Sequence, residues 1–154
     1  MIWLKQFQTL KSTWVLDILN NSWRKGPSLN EDRVYHSCFY DKLSNSVFTV
    51  SGYSDSRRHP SRQLATTEKW NLSNNKWEPT SNLTDTLLAS AAAASKSREY
   101  IGFVAGGISD ERATSEVWGL RRSDEQWIQM EQSLNIGRHS HSMVNIAANE
   151  IPGC

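Results

Sequence analysis

Short apolar and aromatic runs follow one another along this chain, and glycine, proline or asparagine interrupts nearly every one. Tyr35 to Tyr40, Val47 to Tyr53, Thr67 to Leu72 and Ser115 to Leu120 are each of strand length, and turn-forming residues bound them. Asn74-Asn75, between Leu72 and Trp77, suits a tight hairpin because asparagine tolerates positive φ. One segment conflicts with this pattern, since Ala91 to Ala94 favours a helix by propensity. Its register against Ser37-Cys38 and Ser142-Met143 instead assigns it to an innermost strand, where strands converge and small side chains fit.

The runs recur. Trp14 and Trp23 are nine residues apart, as are Trp118 and Trp127. With one gap, Leu16 then falls on Leu120, and Leu29-Asn30 on Leu134-Asn135. Between these segments, Trp70, Leu72, Trp77 and Leu83 fill the same roles with a shorter turn. Trp23, Trp77 and Trp127 are spaced by 54 and 50 residues, a true internal period. Each period predicts four strands: an inner segment (Tyr35 to Tyr40, Ala89 to Ala94, His139 to Asn145), a second ending in glycine, a third, and a fourth that carries the second tryptophan.

The glycines raise a separate question. Tyr100 to Asp110 reads YIGFVAGGISD, an apolar run that stops on Gly106-Gly107. A phosphate loop would need G-x-G-x-x-G or G-x-x-x-x-G-K-[ST], and neither is present. Asp110 and Glu111 would also repel a phosphate. Val47 to Tyr53, with Gly52, occupies the matching place one period earlier, so the glycines read as backbone devices where a strand turns close to its neighbour.

The period, four strands, a glycine pair after the second strand and a tryptophan on the fourth together resemble the kelch repeat of β-propellers. The residues that carry the resemblance are Gly106-Gly107, Glu116-Val117-Trp118 and Trp127, with Ser51-Gly52, Glu68-Lys69-Trp70-Asn71 and Trp77 in the earlier repeat. The family usually has tyrosine where this chain has Trp70 and Trp118, and the first repeat is degenerate. The resemblance implies an all-β fold, a kelch-type propeller with about two whole four-stranded blades and half blades at each end. On this reading residues 1–11 are a lead-in with the remnant of a preceding strand, and 12–32 a half blade. Residues 33–83 and 84–134 are whole blades, and 135–154 open the next. Propellers typically have four to eight blades, so the expectation is a fragment whose missing blades come from the rest of a longer chain. Trp77 and Trp127 are expected between successive blades, each burying a large apolar area. A sugar-stacking or nucleic-acid platform is the alternative use of such tryptophans.

Composition adds little against this picture. A formal charge of +1 points to neither nucleic acid nor membrane, and no run has the length of a membrane span. Two cysteines, Cys38 and Cys154, make no disulfide framework, and the cytoplasm is the expected compartment. Three N-glycosylation sequons are no more than so polar a chain yields by chance.

Alternating strand direction sends the loops after second and fourth strands to one face. That face collects Arg33, Arg57, Arg58, Arg62 and Arg138, with SDSRRHPSRQLATT (residues 54–67) as its longest loop. In proteins with kelch repeats an arginine just before an inner strand helps grip an acidic peptide, so the resemblance nominates Arg33 and Arg138 as binding residues. Leu87-Leu88 stands at that place in the middle repeat, and a solvated surface charge is the plainer account of each arginine. His139 and His141, two apart on a predicted strand, share a face, but no third metal ligand has suitable spacing. There is no G-x-S-x-G elbow, and Cys38 sits in a strand expected to be buried. The chain is therefore expected to be no enzyme, to need no metal or cofactor, and to bind a protein partner. A substrate-recognition part of a ubiquitin-ligase adaptor and a cytoskeletal linker are the roles that the resemblance implies. The rival is a fragment of an oxidase-like propeller enzyme whose catalytic residues lie in absent blades.

Overall fold

The computed structural model describes residues 8–56 and 59–146. These residues form antiparallel sheets, with no helix among them. The first sheet is a hairpin of β1 (Trp14–Asp17) and β2 (Ser22–Lys25). A four-stranded meander follows: β3 (Ser37–Asp41), β4 (Ser46–Ser56), β5 (His59–Asn71) and β6 (Lys76–Pro79). A second meander joins β7 (Ala91–Ala94), β8 (Tyr100–Ala105), β11 (Val117–Arg121) and β12 (Trp127–Gln129). The short ribbon β9 (Ile108–Ser109) and β10 (Arg112–Ala113) sits on the connection between β8 and β11.

The chain repeats itself in structure as well as in letters. Leu16, Trp70 and Leu120 each lie directly opposite a fourth-strand tryptophan, at Trp23, Trp77 and Trp127 respectively. Asn21, Asn75 and Glu125, each two residues before that tryptophan, all have positive φ. So do Tyr35, Ala89 and Ser140, each at the entry to an inner segment. Successive units are joined there by main-chain hydrogen bonds. Gly52 N donates to Leu87 O (3.0 Å), and Gly107 N to Arg138 O (2.8 Å). Likewise Ala89 N donates to Tyr35 O (2.9 Å), and Ser140 N to Ala89 O (2.7 Å). Glycine is needed at this junction. A Cβ on Gly52 would come within 2.7 Å of Val34 O, and one on Gly106 within 2.5 Å of Arg138 O.

The core lies between sheets. Phe39 and Phe48 stack at 5.2 Å and share a buried cluster with Val50, Leu83, Leu87, Val104, Trp118, Leu120 and Trp127. Trp127 keeps its indole N–H satisfied by donating to Thr67 Oγ1 across the sheets (3.0 Å). A smaller cluster of Leu29, Trp70 and Trp77 packs against Val15 and Val47, and so joins the β1–β2 hairpin to the first meander. The alanines of β7 form a strand, as their register predicts. Ala92 and Ala94 pack on the core, and Ser37 Oγ donates to Ser90 O beside them (2.6 Å).

Several expectations need correction. Trp70 matches Leu120 in register, not Trp118, so the alignment on tryptophans slips by two residues. Such a slip keeps the same residues on the same face, which is why the apolar pattern did not expose it. Residues 54–56 and 59–66 belong to β4 and β5, not to an open loop. Beyond a bulge between Val50 and Gly52, β4 and β5 resume pairing as a long hairpin arm. Gly52 therefore lies within β4 instead of ending it. The segment 139–145 forms no strand, because no neighbour among the described residues supplies a ladder for it. Cys38, expected in a buried strand, is exposed, because its side chain falls on the outward phase of β3; Trp23, unlike its repeat mates Trp77 and Trp127, is exposed too.

Candidate interaction surface

The meanders send alternate connections to opposite ends. One end holds the tight turns, residues 18–21, 42–45, 72–75, 95–99 and 122–126. The other holds the longer connections 26–36, 80–90 and 130–138, the β4–β5 arm and the β9–β10 ribbon. Of the five arginines singled out in the sequence, Arg33, Arg62 and Arg138 belong to this second end, but the structure treats them differently.

Arg33 is buried and engaged through both terminal nitrogens, with only its Nε lacking a partner among the described residues, which corrects its expected place on an open binding face. The bulge in β4–β5 leaves the carbonyls of Ser51 and Thr66 outside the ladder. Arg33 Nη1 donates to both, at 2.8 and 3.1 Å. Its Nη2 donates to Thr66 Oγ1 (3.2 Å) and to Glu68 Oε1 (2.7 Å). Glu68 is itself buried and accepts three further bonds, from Asn30 N (2.7 Å), Asn30 Nδ2 (2.9 Å) and Glu31 N (3.0 Å). Every charge here is desolvated and every charge is met, the condition under which a buried ion pair is tolerated. Glu68 is the functional partner that sequence reading missed. A signal was present: Glu68 lies two residues before Trp70 on one strand, so alternation aims a carboxylate inward with the tryptophan, and an inward charge needs a countercharge.

Arg62 and Arg138 remain at the surface. Arg62, on the hairpin arm, is ion-paired with Glu31, which also accepts from Thr66 Oγ1. Arg138 is exposed and makes no ion pair among the described residues; its Nε donates to Ile136 O (3.3 Å). Arg57 and Arg58 lie outside the described residues. The face is mixed in sign, because a shallow cleft of about 430 Å³ beside the β9–β10 ribbon sets Asp85, Asp110 and Glu116 against Arg112.

His139 and His141 do not share a face, since Ser140 between them adopts φ 54 and breaks the alternation. His139 is exposed, with Nδ1 3.1 Å from Ser140 Oγ. His141 is half-buried, and burial, followed by the charges of Arg138 and His139, lowers its pKa. No group of three His, Cys, Asp or Glu side chains suited to a metal ion occurs among the described residues.

The opposite end carries a second ion pair with a buried carboxylate. Arg122, in the β11–β12 turn, reaches the first meander and grips Asp41 with both nitrogens, at 2.9 and 3.1 Å. It also donates to Tyr100 O (3.1 Å). Burial alone would raise the Asp41 pKa, but hydrogen bonds from Arg122 and Ser44 overcome this and lower it to about 2. Arg121 pairs with Asp124 at the surface. Arg122 thus clamps two sheets together.

Comparison with protein-family models and with curated proteins finds no match to the chain. No helix of the described residues is long and apolar enough to cross a membrane.

Proposed function

We propose that this chain is part of a kelch-type β-propeller that serves as a protein-interaction module and takes an acidic segment of a partner at its loop end. The observation that supports the reading is a contrast between two arginines at the same repeat position. Arg33 and Arg138 both stand immediately before the residue pair that enters an inner segment, and the positive-φ residues Tyr35 and Ser140 mark that equivalence. Arg33 is clasped by a carboxylate; Arg138 presents its guanidinium to solvent beside the Gly106-Gly107 junction. A guanidinium of this kind binds a carboxylate through two charge-assisted hydrogen bonds. Rigid strands that hold variable loops at one end are the usual platform for such recognition.

Exposed ion pairs contribute only about 0–1 kcal/mol each, so Arg138 orients the partner while an apolar contact supplies affinity. The test is fluorescence anisotropy with a labelled glutamate-rich peptide at low and physiological salt. Arg138→Glu is expected to weaken binding, and adding Arg62→Glu or the pair Arg57→Glu with Arg58→Glu to weaken it further. Lys42→Glu and Arg98→Glu, at the turn end, should leave binding unchanged. Binding that is insensitive to Arg138→Glu, or equally sensitive to the turn-end reversals, rules the reading out.

A further inference from the structure

The β1–β2 hairpin shows to solvent what the rest of the chain buries. By hairpin register Trp14, Leu16 and Trp23 occupy the positions of Trp118, Leu120 and Trp127. The latter three are 3%, 0% and 8% exposed, packed on Phe39, Phe48 and Val50 of the preceding meander. The former are 59%, 41% and 64% exposed. The hairpin's other face is occupied, since Val15 packs on Leu29, Trp70 and Trp77. One unit thus carries a mating face with nothing on it among the described residues.

The complementary type of face stands at the far side of the second meander. A Cβ on Gly119 would meet Tyr100 and Met130, so these side chains lie on the face turned away from the core. Phe103 and Ile128, both paired with Gly119, share that face, and all four are half-exposed. Anchored on the glycine junctions, Phe103 matches Phe48, the residue at the heart of the buried inter-sheet cluster. The outer face of the second meander is therefore the same type of surface as that on which, one unit earlier, Trp127 is seated.

We propose that these two faces mate between copies of the chain: the Trp14, Leu16 and Trp23 face of one copy seats on the Tyr100, Phe103, Ile128 and Met130 face of the next. The occupant is a second copy because it carries both halves of an interface that the chain already builds twice within itself. An association of this kind is head-to-tail and heterologous, so it either closes into a ring or extends. It rests on the hairpin and the terminal sheet face, not on the arginines of the loop end.

Sedimentation velocity of the whole chain over a concentration series tests this. The wild-type chain is expected to associate as concentration rises. Trp23→Arg blocks one face and Ile128→Arg the other, and each should weaken self-association about thirtyfold or more, the scale of an interface hot spot. Mixed together, the two variants should form a dimer, because each retains the face that the other lacks. Circular dichroism and urea midpoints establish that the variants are folded, with Leu16→Arg and Met130→Arg as second substitutions on each face. A wild-type chain that stays monomeric throughout would overturn the proposal. So would an Ile128→Arg chain that self-associates like wild type, which would mean that tryptophan faces meet each other. A mixture that remains monomeric would overturn it as well.

Discussion

Arg33 and Glu68 can be exchanged for residues that the chain itself uses one unit later. Leu87 stands at the repeat position of Arg33, and Trp118 at that of Glu68; both are buried in the main cluster. The same site is therefore filled once by an ion pair and once by two apolar side chains. Arg33→Leu leaves the Glu68 carboxylate buried with only its Asn30 and Glu31 donors, and removes the donors that serve Ser51 O and Thr66 O. Breaking a buried pair in this way costs about 3–5 kcal/mol. Glu68→Trp strands the guanidinium and should cost a similar amount. If the sites were independent the double variant would lose about 6–10 kcal/mol, enough to unfold a domain whose whole stability is about 5–15 kcal/mol. The expected result is otherwise. Arg33→Leu with Glu68→Trp should cost about as much as one single change, because no charge is left unmet and only neutral groups, the Asn30 and Glu31 donors and the Ser51 and Thr66 carbonyls, remain to be satisfied. Urea titrations followed by circular dichroism, with the slope of the transition held as a check on the unfolded state, give all four corners of the cycle. Single changes worth under about 1 kcal/mol each, or a double variant equal to their sum, would refute the reasoning.

Trp127→Ala should cost about 3–5 kcal/mol in the same titration, the loss for truncating a packed aromatic, while Trp23→Ala should change the stability of the monomer by about 0.5 kcal/mol or less. Asp41 makes stability depend on acid. Its folded pKa of about 2 lies below the unfolded value of 3.8, so the contribution is fully present above the unfolded pKa and is lost as pH falls through that window toward 2. The contribution is about 2 kcal/mol, and Asp41→Asn should flatten the corresponding part of a stability–pH curve measured by urea midpoint.

What was legible in the sequence was whatever repeats in kind. The tryptophans, the glycine junctions and the strand-length runs identified an antiparallel all-β chain with a period near 50 residues. Even the alanines of β7 were placed by register against a helical propensity. Register itself was harder to read, since Trp70 and Trp118 are the same residue type and a two-residue slip changes no face. The site was legible only in outline. Arg33 and Arg138 have similar local surroundings, Arg-Val-Tyr-His-Ser and Arg-His-Ser-His-Ser, yet one is buried and the other exposed. Their difference lies in a glutamate 35 residues away and in a bulge that frees two carbonyls, neither of which a local pattern contains. The arm at residues 54–56 and 59–66 was hidden for a related reason: its charged and polar residues read as loop, while its pairing is decided by backbone register beyond Gly52.

The junctions between units are made by main-chain atoms, from Gly52 to Leu87, Tyr35 to Ala89, Gly107 to Arg138 and Ala89 to Ser140. A seam sewn through the backbone does not depend on what the side chains are, as long as glycine or a residue tolerating positive φ stands at each stitch. Leucine and arginine carbonyls accept the equivalent bond equally well here, even though one side chain belongs to an oily core and the other to water. The spacing of the units is thus independent of their filling. Such a chain can alter the chemistry of one unit, charged or apolar, without disturbing the alignment of the next.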